Sequence, residues 1–424
     1  MKKLIVKEFS CIKSADVDFS RVTVFIGPQA SGKSVLCKLA YFAIEVATSQ
    51  VEALNKRYGY EKFCEQVKRR FVEWFPVGAW GSGKFKIELT VGDYSIILTR
   101  NARKTAMSDT FRIKLSPEFK AQYELLLKRS VQMHSSKTTK DATDPFDLEW
   151  EWKTFELSRV SLETLMKNDQ VASQMFVPAG RSFFTSIGKA IAAFEQGRVL
   201  DPLILRFGRM YTSYKNERIY YSDSAAEAGA RDALQKRLND IFGGELKQDG
   251  ETEYVLTPDG RTMPLSALSS GQQELLPLFV VLPHFGRRRA SMAYIEEPEA
   301  HLFPSAQSKL VETLVSAVTR PGSKSGGDLV ITTHSPYILA KMNNLIKAGM
   351  LSRIQPIPKK KLEAILPRQV WLSGRVINAY AIQSGVVRSI VDDDGLIDAE
   401  YLDGVSSDIS HEFSELLELE ARHA

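Results

Sequence analysis

Hydrophobic and polar positions follow two rhythms along this chain. Residues 4–9 and 21–26 (RVTVFI) read as strands, the second a short apolar run ending at Gly27. Leu36, Leu39, Ala40 and Ala43 then recur at helical spacing, which predicts a helix over 33–57. Alternation returns between Lys84 and Leu115. FKIELTV, YSIILTR and FRIKL predict three strands, with turns at Gly92-Asp93 and around Asn101 to Asp109. A helix is expected from Pro117 to Met133, a polar loop over 135–146, and a helix over 148–173.

The second half reads as MFVPAGR (175–181), a strand entering a loop, then mostly helix over 186–241 with a break at Asp201-Pro202. Short strands over 244–265 turn at Asp249-Gly250 and Asp259-Gly260. A helix begins just after Ser270, residues 291–296 and 328–332 are strands, and 304–319 is a helix between them. Residues 370–420 read as short strands followed by an acidic amphipathic helix, and no repeat or long heptad stretch occurs. Strands interleaved with helices predict an α/β fold.

Composition narrows this. A chain of 424 residues suits two lobes, or one large α/β domain with an inserted subdomain. With 44% apolar and 25% charged residues, wholesale disorder, collagen and a small disulfide scaffold are excluded. The net charge of +5 hides an asymmetry: 11 acids and one base lie from Ser389 onward, leaving 55 bases against 40 acids before it. A basic body and an acidic tail point to a polyanion or protein partner. Cys11, Cys37 and Cys64 form no CxxC pair, so a reduced, cytoplasmic setting is expected. Lys7 and Glu8 interrupt any signal-peptide run, and no stretch reaches the roughly 18 apolar residues that span a membrane.

Four motifs hold the candidate chemistry. Gly27-Pro28-Gln29-Ala30-Ser31-Gly32-Lys33-Ser34 matches G-x-x-x-x-G-K-[ST] between a predicted strand and a predicted helix. Its glycines let backbone N–H groups face a β-phosphate at a helix N-terminus. Lys33 would offset β/γ-phosphate charge, and the Ser34 hydroxyl would ligate Mg²⁺. Ala293-Tyr294-Ile295-Glu296-Glu297-Pro298-Glu299 is an apolar strand ending in acids. Glu296 would hold the Mg²⁺ shell, and Glu297 would orient and polarise the attacking water. Leu268-Ser269-Ser270-Gly271-Gln272-Gln273-Glu274 opens a helix, giving a second anion site at Ser269, Gly271 and Gln272. In Ile331-Thr332-Thr333-His334-Ser335-Pro336, His334 stands just past a buried strand, in place to bond a γ-phosphate or the water.

The order of these motifs resembles the ABC-type ATPase heads: SMC proteins, RecF and the overcoming-lysogenization-defect (OLD) family. EEPEAHLFP (296–304), THSPYIL (333–339) and Pro178-Ala179-Gly180-Arg181 resemble the OLD-like branch most. The resemblance implies an ABC-type head, a mixed P-loop sheet flanked by helices in two lobes with an inserted helical and β-hairpin subdomain. It implies ATP and Mg²⁺ as cofactors and a homodimer or higher homo-oligomer. Ser269 and Gly271 of one chain would touch the γ-phosphate bound by Lys33 of the other. By the same resemblance Gln174 takes the place of the glutamine that completes the metal shell, while Arg181 either reads the nucleotide or partner, or forms an interlobe ion pair. Two departures stand out. Ser270 replaces the second signature glycine, and Ala300 stands where transporters carry a D-loop aspartate.

This divides the chain into residues 1–50 with the P-loop, an insert at 51–173, the rest of the head at 174–345, and C-terminal strands and acidic helix at 346–424. No nuclease motif follows His334; Asp392-Asp393-Asp394 reads as a solvated turn. That shape resembles stand-alone OLD-like ATPases of antiphage defence, such as the Septu and PARIS ATPases, in which a separate effector protein acts. The alternative is a RecF/SMC-like repair or recombination ATPase that binds nucleic acid itself. Its contacts would come from Lys68-Arg69-Arg70, Arg287-Arg288-Arg289 and Lys359-Lys360-Lys361.

Overall fold

The computed structural model describes residues 2–81, 83–101, 110–135, 148–187, 200–216, 225–249, 252–285, 290–320, 326–354, 357–372 and 376–398, with 411, 412, 414 and 416. β1 (Lys2–Phe9) and β2 (Ile12–Phe19) form a hairpin, and β3 (Val22–Ile26) runs through the glycine-rich loop into α1 (Lys33–Thr48). α2 (Gln50–Asn55) and α3 (Tyr60–Trp74) precede the antiparallel β4 (Phe85–Val91), β5 (Tyr94–Arg100) and β6 (Arg112–Leu115). α4 (Pro117–Ser135) and α5 (Leu148–Met166) follow, then β7 (Ser173–Val177), α6 (Ser182–Ile187), α7 (Pro202–Asn216) and α8 (Ala225–Phe242). β8 (Glu245–Asp249), β9 (Thr252–Leu256) and β10 (Thr262–Pro264) make a small separate sheet. The chain ends through α9 (Ser270–Phe285), β11 (Ser291–Glu296), α10 (Pro304–Leu314), β12 (Asp328–Thr333), α11 (Pro336–Leu351), α12 (Lys359–Ile365), β13 (Ile377–Gln383) and β14 (Val386–Ser389).

Among the described residues, eleven strands form one mixed sheet in the order β6-β5-β4-β1-β2-β14-β13-β3-β12-β11-β7. One half is antiparallel; β13, β3, β12, β11 and β7 are mutually parallel. Helices cover both faces of the parallel half, which is why β3 and β11 are buried at every position. Alternate residues serve two cores. Val22, Val24 and Ile26 face one, with Ala293, Ile295, Leu329 and Ile331. Phe25, Met292, Tyr294 and Val330 face the other. The second core continues under the antiparallel half as an aromatic cluster. There Phe9, Phe42, Phe71, Phe75, Trp80 and Phe85 pack edge-on or tilted.

The predicted α/β fold and most of its strands are present. The helix expected over 33–57 is two helices, because Thr48 Oγ1 and Ser49 Oγ bond back to Glu45 O and Val46 O at 3.0 and 2.9 Å and the chain bends there. The helix expected to run to 173 stops at Met166. Lys167 takes a positive φ of 53°, and β7 starts two residues earlier than the sequence pattern placed it. The tail strand β13 is no appendage: it lies beside β3 in the middle of the sheet. Of the loop expected over 135–146 only Ser135, the end of α4, is described; the rest of it, Arg287-Arg288-Arg289 and most of the expected acidic helix lie outside the described residues.

α11 passes close under the chain that leads back into the sheet. Leu372 N donates to Leu345 O at 3.0 Å, and a Cβ at Gly349 would overlap the Leu372 carbonyl. Gly349→Ala should therefore lower stability by about 1–3 kcal/mol, read as a drop in the urea midpoint. Gly78→Ala, with open space around its Cβ, should leave the midpoint nearly unchanged.

Candidate nucleotide-binding site

Register brings the motifs together. Ile26 pairs with Thr333, Glu296 with Thr332, and Ile295 with Val177. The residues that follow these strands therefore emerge at one edge: Gly27, His334, Glu297 and Pro178. Carboxyl ends of parallel strands are where open α/β sheets bind ligands.

Residues 27–34 curl between β3 and α1. Gly27 is required by space, since a Cβ would sit 2.5 Å from Ile382 O. Gly32 is required by conformation, with φ 105° and the Ile12 side chain against it. The start of α1 has no side-chain cap, so its first N–H groups remain for an anion. Lys33 is only 5% exposed. Its ammonium donates to Gly27 O at 2.8 Å and Pro28 O at 2.9 Å, folding the side chain back over its own loop. Burial lowers the Lys33 pKa; the nearby Glu297, Glu299 and Glu296 carboxylates oppose that shift.

Glu296 is buried, with Oε2 accepting from Ala179 N at 3.3 Å. Among the described residues its Oε1 has no hydrogen-bond partner, nor does the buried Ser31 hydroxyl. Burial raises the Glu296 pKa, against the hydrogen bonds from Ser34 and Ala179. A buried carboxylate with an orphaned oxygen, close to the hydroxyl of Ser34, is the hard-oxygen donor set that Mg²⁺ takes. Ser34 and Glu296 thus fit the predicted metal role.

Glu297 adopts a positive φ of 40°, held by its N–H on Thr332 O at 2.9 Å. His334 Nε2 lies 2.9 Å from Glu297 Oε1 and 3.0 Å from Lys33 Nζ. A neutral imidazole nitrogen either accepts from the ammonium or donates to the carboxylate, not both. The His334 loop is itself fixed by Glu299, whose Oε1 accepts from Thr333 Oγ1 at 2.6 Å and His334 N at 2.8 Å. Glu299 received no role from the sequence, although it stands two residues past Glu297.

The L-S-S-G-Q segment is a capping box. Ser269 Oγ accepts from Gln272 N at 3.4 Å, while Gln272 Oε1 accepts from Ser269 N at 3.1 Å. Ser269 is exposed, and among the described residues it has no hydrogen bond to Lys33, Glu297 or His334. Gly271 packs on the loop after β11, where a Cβ would sit 2.7 Å from His301 O.

One expectation changes, and one alternative is decided. Gln174 does not join the group. It pairs with Met292, near the start of β11, and its amide is engaged with Tyr41 O and the Tyr294 hydroxyl, each at 3.1 Å. Placed at the wrong end of the strand, it cannot complete a metal shell beside Ser34. The loop after β7 does reach the site, through Ala179 and Arg181. Arg181 is fully buried and bonds Glu296 O at 2.6 Å, Glu297 O at 3.3 Å and Glu274 O at 3.1 Å. Of its two expected roles it takes the ion pair, with Nε 3.7 Å from the buried Glu274 carboxylate, and it holds loops together inside one chain. Away from the site, Asp392-Asp393-Asp394 is a turn in which Asp392 Oδ1 accepts from Leu396 N at 2.8 Å.

A P-loop, a paired acid and a histidine at adjacent parallel strand ends make the nucleotide site of a P-loop ATPase. Residues 22–340 match the family described as "AAA domain, putative AbiEii toxin, Type IV TA system", and the chain belongs to that family. No curated protein matches the sequence. Among solved structures, the SMC head domain from Thermotoga maritima is 11% identical over 92% of this chain and 97% of that one, with a TM-score of 0.38. The SMC head bound to the C-winged helix domain of ScpA is 11% identical over 92% and 96%, with a TM-score of 0.40. The SMC head with an extended coiled coil bound to the C-terminal domain of ScpA, from Pyrococcus furiosus, is 11% identical over 97% and 100%, with a TM-score of 0.37. Among the described residues no helix is long and apolar enough to cross a membrane.

The raised pKa of Glu296 gives a pH signature. Its folded pKa lies above the unfolded value, so the stability it adds is lost as pH rises through the folded pKa, and a cation relieves that cost. Protons and Mg²⁺ then compete for Glu296. The Mg²⁺-dependent part of ATP affinity should fall on acidification at a higher pH than an ordinary glutamate would give. Titration calorimetry with and without Mg²⁺ measures it, and Glu296→Gln should remove the Mg²⁺-dependent part altogether.

Proposed function

We propose that this chain binds ATP with Mg²⁺ and hydrolyses it as one half of a two-chain unit, and that this cycle controls a separate effector in cytoplasmic antiphage defence. The observation that carries the reading is the convergence of Lys33, Glu296, Glu297 and His334 at neighbouring strand ends. Incoming phosphate would take Lys33 from the Gly27 and Pro28 carbonyls, and the α1 N-terminus would hold the β-phosphate. Mg²⁺, when bound, neutralises charge on the β- and γ-phosphates. Glu297 orients a water against the γ-phosphorus and accepts its proton as the new P–O bond forms and the bond to the ADP oxygen breaks. His334, released from Lys33, donates to the γ-phosphate.

The two-chain arrangement is supported by Ser269 and Gly271. Ser269 is exposed and Gly271 half-buried at a helix start whose N–H groups can hold an anion. A defence role accords with the family description, which names a toxin of a type IV TA system, and with the OLD-like motifs EEPEAHLFP and THSPYIL. We assign partner contact to the insert at 51–173, whose α5 exposes Trp152, Phe155 and Val160, and to the acidic tail.

Glu297→Gln should bind ATP, turn it over at least about 100-fold more slowly, and shift to a dimer or larger species on size exclusion with Mg-ATP. An elution volume unchanged by ATP in this variant would refute the two-chain site. Lys33→Ala should lose ATP binding; retained binding refutes the P-loop assignment. ATP-dependent, steeply salt-sensitive DNA binding by this chain alone would favour the repair reading instead.

A further inference from the structure

Arg181 and Glu274 form a connection that nucleotide binding and hydrolysis in one chain do not require. Glu274 lies one turn into α9, the helix that begins just after the exposed Ser269. Its buried carboxylate accepts from Arg181 N at 2.9 Å on one oxygen and from Ser182 Oγ at 2.8 Å on the other. Its backbone carbonyl accepts from Arg181 Nε at 3.1 Å. Next to it, Pro277 removes the helical partner of Gln273 O, and Thr185 Oγ1 takes that carbonyl at 2.9 Å. α9 is therefore fastened at this turn to the loop after β7.

The far side of the same guanidinium grips the acidic pair. Nη1 donates to Glu296 O at 2.6 Å and Pro178 O at 3.1 Å, and Nη2 to Glu297 O at 3.3 Å. Glu297 needs such a grip, because its positive φ of 40° is unfavourable for a residue with a side chain. Fork geometry matters here: planar nitrogens fixed at set angles transmit a displacement of α9 to both carbonyls. Water does not compete, since Arg181 is fully buried.

We propose that Arg181 is a positioning residue coupling the two nucleotide sites of the dimer: the partner's γ-phosphate at Ser269–Gly271 displaces α9, and Glu274 and Arg181 pass that displacement to Glu297 of the same chain. Each chain thereby hydrolyses its own ATP at full rate only when its partner is loaded. This rests on the two-chain ATPase reading above.

Steady-state ATP turnover tests it, with thermal unfolding as the control for folding. Wild type should show a Hill coefficient above one for ATP. Arg181→Lys keeps the charge and loses the fork; Glu274→Gln keeps the shape and loses the charge. Each should cut saturated turnover about tenfold or more, leave half-saturating ATP within about twofold, and bring the Hill coefficient to one. Should either fail to fold, Ser182→Ala removes a single hydrogen bond to Glu274 and should lower the Hill coefficient with a smaller loss of rate. A wild-type Hill coefficient of one overturns the coupling, and so do folded variants with turnover and cooperativity intact. A wild type that hydrolyses no ATP overturns the ATPase reading itself, and the coupling with it.

Discussion

A guanidinium sealed from water must find every partner inside the protein, and Arg181 finds them on three separate pieces of chain. Glu274 and its carbonyl, Pro178 O, and the carbonyls of Glu296 and Glu297 surround it. Removing water from a charge is costly, so this arrangement persists only while all the pieces stay in register. The left-handed turn at Glu297 depends on it, and so does the meeting of Glu297 with His334. Burial depresses the Arg181 pKa, while Glu274, Glu299, Glu296 and Glu297 oppose that shift. The chain has placed one internal cation among four acids and made the acidic edge rigid.

Around this point the parallel register acts as a ruler. One step along β12 relative to β3 would separate His334 from Lys33 and turn alternate side chains to the opposite core. Two cores on opposite faces of β3, β11 and β12 prevent that slip, because each face buries its own set of apolar residues. Packing far from the chemistry thus sets the distances at the chemistry.

The sequence showed the P-loop, the acidic strand end and the histidine clearly, because each is local: a glycine spacing, an apolar run, a cap. It also showed β4 and β5, whose inward residues alternate without a break. β2 escaped because its buried positions, Ile12, Ala15, Val17 and Phe19, do not keep a strict alternation. α3 is legible too, in the helical stripe of Phe63, Val67, Phe71 and Trp74. Gln174 was misplaced for a different reason. Spacing along the chain does not say which end of a strand a residue occupies once its neighbours are fixed. The partners of Arg181 were hidden as well, since they include backbone carbonyls 93 and 115 residues away, which no side-chain motif records.

The place of β13 has a consequence for how the molecule is made. Residues 377–383 flank the P-loop strand, and Ile382 O walls the space beside Gly27. The strand that supports the phosphate loop is synthesised long before the neighbour that flanks it, with most of the head between them. Contacts of such long range form late and slowly. During translation the head stays open on one side, its loop unsupported and its apolar strand edge waiting. The nucleotide site becomes whole only when β13 has left the ribosome.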